Sequence, residues 1–247
     1  MPNPRHLENA PITEALFDIR VKANPTIEVE SFSQLIEVLA DRLPIVEKQI
    51  SGSITIDLPP SSPKPGVVKD TGVQGYFFRS DDGTLVAQFR IDGFTLNRLR
   101  PYTSWETLRP LTLDLWHMYY NLARPEAVTR LAMRFINHMP LTEEGDLGRY
   151  LRAAPTIPQE LPQLLSSFLT RVTIHDNANY LSAHIRQALE TDPARRKATI
   201  IFDIDAFREV SLEPTSSEIG VIFDQLRDFK NRIFFNYLTD EFLMRFE

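Results

Sequence analysis

The chain contains no cysteine, which excludes disulfides, thiolate nucleophiles and cysteine-ligated metals, and makes a reducing cytoplasm the expected compartment. Its nine glycines are few and scattered. None falls in a Walker loop, a GxGxxG turn or a GxSxG elbow, so the common nucleotide-binding loops and the serine-hydrolase nucleophile are excluded. The five histidines, His6, His117, His138, His175 and His184, show no HExxH or HxH spacing, and neither a metal nor another cofactor is expected. No stretch approaches the roughly 18 uninterrupted apolar residues of a membrane span, and MPNPRHLENAPITEA holds no apolar run of signal-peptide length. A soluble chain without membrane contact is the expectation. An excess of positive charge is also missing: the formal net charge is −6, which opposes indiscriminate duplex binding and makes nucleic acid a disfavoured partner.

What is present is ordinary for a globular protein, 43% hydrophobic and 24% charged residues, but it is arranged with a repeat. The stretch FRIDGFTLNRLRPYTSWETL, from Phe89 to Leu108, returns as FDIDAFREVSLEPTSSEIGV from Phe202 to Val221. At an offset of 113 residues, Phe89, Ile91, Asp92, Phe94, Leu99, Pro101 and Ser104 fall on Phe202, Ile204, Asp205, Phe207, Leu212, Pro214 and Ser217. An offset of 116 brings Ile12, Thr13, Ala15, Phe17 and Ile19 onto Val128, Thr129, Leu131, Met133 and Phe135.

Local patterns fill in the elements. Ile12 to Lys22 alternates as a strand, with Ala15, Phe17, Ile19 and Val21 on its core face. Ser31 with Gln34 reads as a capping box before Phe32, Leu35, Ile36, Leu39 and Leu43, predicting an amphipathic helix that Pro44 closes. Val46 to Leu58 reads as a strand, and PPSSPKPGVVKDTG after it as a mobile surface loop. Strands follow at Tyr76 to Arg79 and Thr84 to Ile91 around the Asp82-Gly83 turn, and at Phe94 to Leu99. Thr103 and Glu106 form a second possible capping box, with Pro110 predicting an irregular first turn before the stripe Leu111, Leu115, Trp116, Tyr119. The second half repeats the order: a strand from Val128, a short helix at Leu147 to Ala153, and strands at Phe168 to His175, Leu181 to Leu189 and Ala198 to Asp205. A long helix through Ile219, Ile222, Phe223, Leu226, Phe229 and Ile233 then precedes a short C-terminal one.

The fold class predicted is therefore α+β. A duplicated strand, helix, antiparallel strands, helix unit, residues 1–123 and 124–247, forms one pseudo-two-fold globular unit. One continuous antiparallel sheet with helices on one face is implied, an arrangement analogous to TATA-binding-protein-like and helix-grip folds.

The segments APITEA (Ala10 to Ala15), LRPYTSWE (Leu99 to Glu106), RFIN (Arg134 to Asn137), FDIDAF (Phe202 to Phe207) and LTDE (Leu238 to Glu241) resemble a family of uncharacterised, sporadically distributed bacterial proteins of about this length. The resemblance spans nearly the whole chain and implies no established activity. The patchy distribution implies an accessory setting such as defence or toxin–antitoxin loci.

No catalytic residue is identified. Asp203 and Asp205 are spaced for divalent metal, but the match of Asp205 with Asp92 favours a structural role in turns. The candidate site is the sheet face turned away from the helices, where Arg20, Arg90, Arg130, Arg134, Arg171, His184 and Arg186 gather with Asp18. Leu16, Ala132, Ile136 and Ile201 share that face and favour contact with something other than solvent. The leading expectation is a non-enzymatic binding or interaction module that uses this face or the cleft between halves, with a protein partner or a second copy of the chain. The alternative is a nucleotide or polyphosphate sensor or enzyme, with the guanidinium forks holding the anionic ligand. The aromatics Tyr102, Trp105, Trp116 and Tyr119 read as core rather than as a stacking platform.

Overall fold

The computed structural model describes residues 7–55, 67–141, 146–163, 165–192 and 197–247. The alternating segment Ile12–Lys22 is strand β1, and on its two sides it pairs with Gly93–Leu99 (β5) and Ala127–Pro140 (β6). With Ile45–Thr55 (β2), Val67–Arg79 (β3), Leu85–Arg90 (β4), Phe168–Asp176 (β7), Leu181–Asp192 (β8) and Lys197–Leu212 (β9), they form one sheet in the order β2-β3-β4-β5-β1-β6-β9-β8-β7. Every neighbouring pair is antiparallel. The fold is α+β and mostly sheet, with helices α1 (Leu35–Leu39), α2 (Trp105–Ala123), α3 (Glu218–Tyr237) and α4 (Asp240–Leu243). Among the described residues, no helix is long and apolar enough to cross a membrane.

The long helices cover the face that bears Phe17. Its ring stacks on Trp105 of α2 at 5.8 Å and meets Phe223 of α3 edge-on at 5.7 Å. Side chains of period two from the strands, such as Ile19, Leu131, Met133 and Ile204, are fully buried beneath them. Burial of this apolar layer is the main stabilising contribution, at about 25 cal/mol per Å² removed from water. α2 and α3 are tied by Arg109, whose guanidinium donates to both carboxylate oxygens of Asp224 at 2.9 and 2.8 Å. Gly220 permits that crossing, since a Cβ there would stand 2.9 Å from the guanidinium. At the sheet's centre Gly93 has a φ of 153° and runs so close to β1 that a Cβ would strike the Ile19 carbonyl oxygen.

Several local expectations are corrected. The helix predicted from Ser31 to Leu43 is a 3-10 turn, Val29–Gln34, followed by the single α turn of α1, and no side-chain cap forms. Phe32, delivered by that tight turn, packs on Tyr119 at 5.7 Å, and Leu35, Leu39 and Leu43 of the expected stripe are buried with it, while Ile36 is exposed. Of the predicted loop 59–72, residues 67–72 belong to β3, where ladder pairing such as Ser53 with Lys69 overrides the turn-forming composition. Residues 59–66 lie outside the described residues. The cap of α2 is Ser104, one residue later than predicted, and its hydroxyl accepts from the Thr107 N–H at 3.2 Å. Pro110 then stands inside a regular helix, early enough that only its own bond toward Glu106 is lost.

The 113-residue offset aligns β4, where Phe89 lies, with β9, where Phe202 lies. In the sheet, however, β4 is two strands out from β1, whereas β9 is directly beside β6. Asp92 accordingly sits in the turn between β4 and β5, while Asp205 is inside β9, so these two aspartates are not structural counterparts.

Candidate functional site

Two regions hold unusual polar chemistry. The first is the sheet face opposite the helices. The side-chain alternation of β1, β4, β5, β6 and β9 brings Asp18, Arg20, Arg90, Arg130 and Arg134 together around a cavity of about 220 Å³. Asp18 is its hub and is only 5% exposed. It accepts from Thr95 Oγ1 at 2.7 Å, Arg20 Nε at 2.9 Å and Arg90 Nη2 at 3.5 Å, with Arg130 Nη1 also at 3.5 Å. Three hydrogen bonds and the ion pair to Arg130 thus surround its carboxylate.

The arginines have further partners. Arg20 and Arg90 both reach Asp92, at 2.5 and 3.0 Å, and Arg90 also donates to Gln88 at 2.7 Å. Arg130 pairs with Asp205 at 3.1 Å and lies 4.6 Å from the Phe207 ring centre. Arg134 forks onto Asp203 at 2.8 and 2.7 Å. Desolvation works against the charge of Arg20 and of Asp92, yet their partners prevail, raising the pKa of Arg20 and lowering that of Asp92. With Glu209 3.7 Å from Arg130 Nε, four guanidinium groups thus meet five carboxylates.

The remaining predicted residues stand farther out on this face. His184 and Arg186 are on β8 and Arg171 is on β7, with Arg171 and Arg186 register partners. His184 Nδ1 bonds Thr173 Oγ1 at 2.9 Å and its ring lies beside Phe207, and Arg186 approaches Asp203 at 3.8 Å. Arg171 is exposed and joins no ion pair among the described residues. Asp203 and Asp205 serve as arginine partners, and the described residues contain no group of three or more His, Asp or Glu suited to a metal.

The second region is a cavity of about 710 Å³ at one end of the sheet. It lies between residues 7–12 leading into β1, residues 100–106 leading into α2, the β6 residues Phe135, Asn137 and His138, and α3. Three of the sequence segments singled out above therefore meet here: Ala10 to Ala15, Leu99 to Glu106 and Arg134 to Asn137. Phe202, from the fourth, accepts from the Asn137 side-chain amide at 2.9 Å through its carbonyl.

The most unusual group in this cavity is Lys230. It is 9% exposed and makes no hydrogen bond or ion pair among the described residues, its only charge-type contact being the Phe135 ring centre 4.0 Å from Nζ. Burial, and secondarily the charge of Arg227, pushes its amine down to about 7. Arg227 lies over the Trp105 ring at 5.3 Å and reaches Glu106 at 3.7 Å. Tyr102, edge-on to Phe135 at 5.7 Å, has its phenol pushed up to about 12 by burial, with Glu106 adding and Arg227 opposing. The Tyr102 hydroxyl also makes no hydrogen bond among the described residues.

Trp105, Trp116 and Tyr119 are buried as expected of core, but Tyr102 is half-buried and faces the cavity. Asn137 belongs to the RFIN segment and Lys230 to none of the segments singled out in the sequence, and both occupy core-facing positions of their elements. In Leu226, Phe229, Lys230, Ile233 the lysine interrupts an apolar row, and Asn137 follows Leu131, Met133 and Phe135 on the inward side of β6. Comparison of the sequence with protein-family models and with curated proteins finds no match, so the chemistry of both regions rests on their own residues.

Proposed function

We propose that the chain is a non-enzymatic binding module whose recognition site is the end cavity. One observation carries the reading: Lys230 and Tyr102 line a cavity of about 710 Å³ with polar groups that have no partner of their own among the described residues. The volume falls in the roughly 300–1,000 Å³ range of small-molecule sites, and a few polar groups amid aromatic walls is the usual composition of such sites. The arginine face supports the rival nucleotide or polyphosphate reading less well, because each of its four inner guanidinium groups already carries a carboxylate. An incoming phosphate would have to displace those partners. The test uses Trp105 in the cavity wall. With Trp116→Phe, Trp105 is the sole tryptophan, and titration with a library of small metabolites is expected to shift or quench its emission. A library that leaves the emission unchanged overturns the reading.

We also infer that residues 1–123 and 124–247 are two copies of one unit. Outward from the centre the sheet reads β1, β5, β4 on one side and β6, β9, β8 on the other, and each half closes with a long helix, α2 or α3. The end cavity lies where these halves meet. Superposing β1, β5, β4 and α2 on β6, β9, β8 and α3 tests the inference, and helices crossing the sheet in opposite senses would remove it.

A further inference from the structure

Lys230 occupies a core position on α3, yet it is charged in its ordinary form. A buried cation is normally accompanied by a carboxylate, because an unpaired charge in a low-dielectric site is strongly disfavoured. Here the protein supplies an aromatic ring in place of a carboxylate. The other charged or titratable groups on the cavity wall are Glu8, Arg100, Tyr102, Glu106, His138 and Arg227. Glu106 is engaged by Arg227, 3.7 Å away, and neither acid is paired with Lys230. Among the described lining residues, Arg100, Arg227 and Lys230 formally face Glu8 and Glu106, a surplus of one positive charge.

Resting on the reading of this cavity as the binding site, the geometry points to a ligand with one carboxylate and an apolar, ring-sized body. Lys230 is the counter-ion of the carboxylate, and Trp105, Phe135 and Phe234 receive the body. A single ammonium suits a monoanion. A phosphate dianion is best met by guanidinium forks converging on it, and Arg227 is engaged with Glu106 and Trp105. A free amine near neutrality also gives the site a pH signature. The carboxylate favours the ammonium form, so binding is tightest below pH 7 and weakens above it by up to about tenfold per pH unit as the amine loses its proton.

The experiment is calorimetric titration of the full chain at pH 6.5 and 8.5 with phenylacetate, indole-3-acetate and octanoate. The neutral isostere phenylacetamide and the anion phenyl phosphate serve as comparators. At least one carboxylate is expected to bind at pH 6.5, to lose about tenfold or more at pH 8.5, and to lose binding in Lys230→Met. Phenylacetamide should bind weakly and without pH dependence. His138→Gln is expected to keep the pH dependence, which separates Lys230 from the histidine on the same wall. Thermal unfolding and circular dichroism establish that each variant is folded, and Lys230→Arg, which retains a cation, should recover part of the affinity.

If phenylacetamide binds as well as phenylacetate, or phenyl phosphate binds better, the carboxylate assignment fails while the cavity remains a binding site. If no probe binds the wild-type chain and its Trp105 emission is also silent to the wider library, both readings fail. A stable adduct with phenylacetaldehyde after borohydride reduction, located on Lys230 by mass spectrometry with no carboxylate binding, replaces the ion-pair assignment with an imine.

Discussion

The arginine face and the end cavity treat buried charge in opposite ways. Around Asp18 each inner guanidinium is matched to a carboxylate, and Asp18 itself is saturated with donors. Around Lys230 the cation has no counter-charge among the described residues and stands against a phenyl ring. The difference lies in where the partners come from: on the arginine face they are carboxylates carried by the same and neighbouring strands, whereas Lys230 meets no carboxylate among the described residues. Charge balanced within the sheet ties its strands together, and the proposed function rests on the charge that is not balanced in this way.

Removing one partner from the balanced region should have the largest effect. Asp18→Ala leaves Arg20, Arg90 and Arg130 facing one another across three strands, and is expected to lower stability by about 3–5 kcal/mol, the usual cost of orphaning a buried charge. Urea unfolding measures it, and a loss below 1 kcal/mol would show that Asp92 and Asp205 suffice without Asp18.

The unbalanced region should respond with the opposite sign. Lys230→Met is expected to raise stability by about 1–4 kcal/mol at pH 6, as replacement of a buried charge by a matching apolar side chain often does. The folded pKa of Lys230, about 7, is below its unfolded value, so between about pH 7 and 10.5 the unfolded chain binds more protons and wild-type stability rises with pH. The advantage of the variant should therefore be greatest below pH 7 and shrink toward pH 10. Paired denaturation curves at pH 6 and 9.5 check this, and an unchanging difference would show that Lys230 is solvated.

A smaller effect is expected where charge is balanced but half in water. Arg109→Ala and Asp224→Ala, combined in a double-mutant cycle, should couple by about 0.5–1 kcal/mol, in keeping with partly exposed pairs. The smallest response belongs to Asp82, exposed in the β4 hairpin turn. Its carboxyl is lowered to about 2 by hydrogen bonds from Ser80 first and then Thr84. Its contribution is present above pH 4 and is lost as pH falls from about 4 to 2, so Asp82→Ala should flatten the acid limb of the stability curve there and leave neutral pH nearly unchanged.

Much of the architecture was legible in the sequence because it is written with short periods. The alternation of Ala15, Phe17 and Ile19 and the helical row from Ile219 to Ile233 both appear where their spacing places them. Ladder pairing was not legible, since it is set by a distant strand. Hence residues 67–72 join β3 despite their composition, and β9 runs on past Asp205 to Leu212. The arginine face was correctly gathered by alternation, but its neutralisation depends on diagonal contacts, such as Arg134 with Asp203, that a one-dimensional pattern does not register. The cavity was not legible because its walls come from five separated segments. Its signals in the sequence are a lysine and an asparagine, Lys230 and Asn137, standing where the rows of α3 and β6 call for apolar residues.

The clamp between Arg109 and Asp224 fixes how far apart α2 and α3 stand, one turn from Trp105 and less than two from Lys230. Trp105 and Lys230, carried by those two helices, both line the end cavity, and Gly220 keeps the path of the clamp open. The spacing of two cavity walls is thus tied to an ion pair half in water, so salt that screens the pair, or loss of either partner, would be felt in the cavity through the helices rather than through its lining.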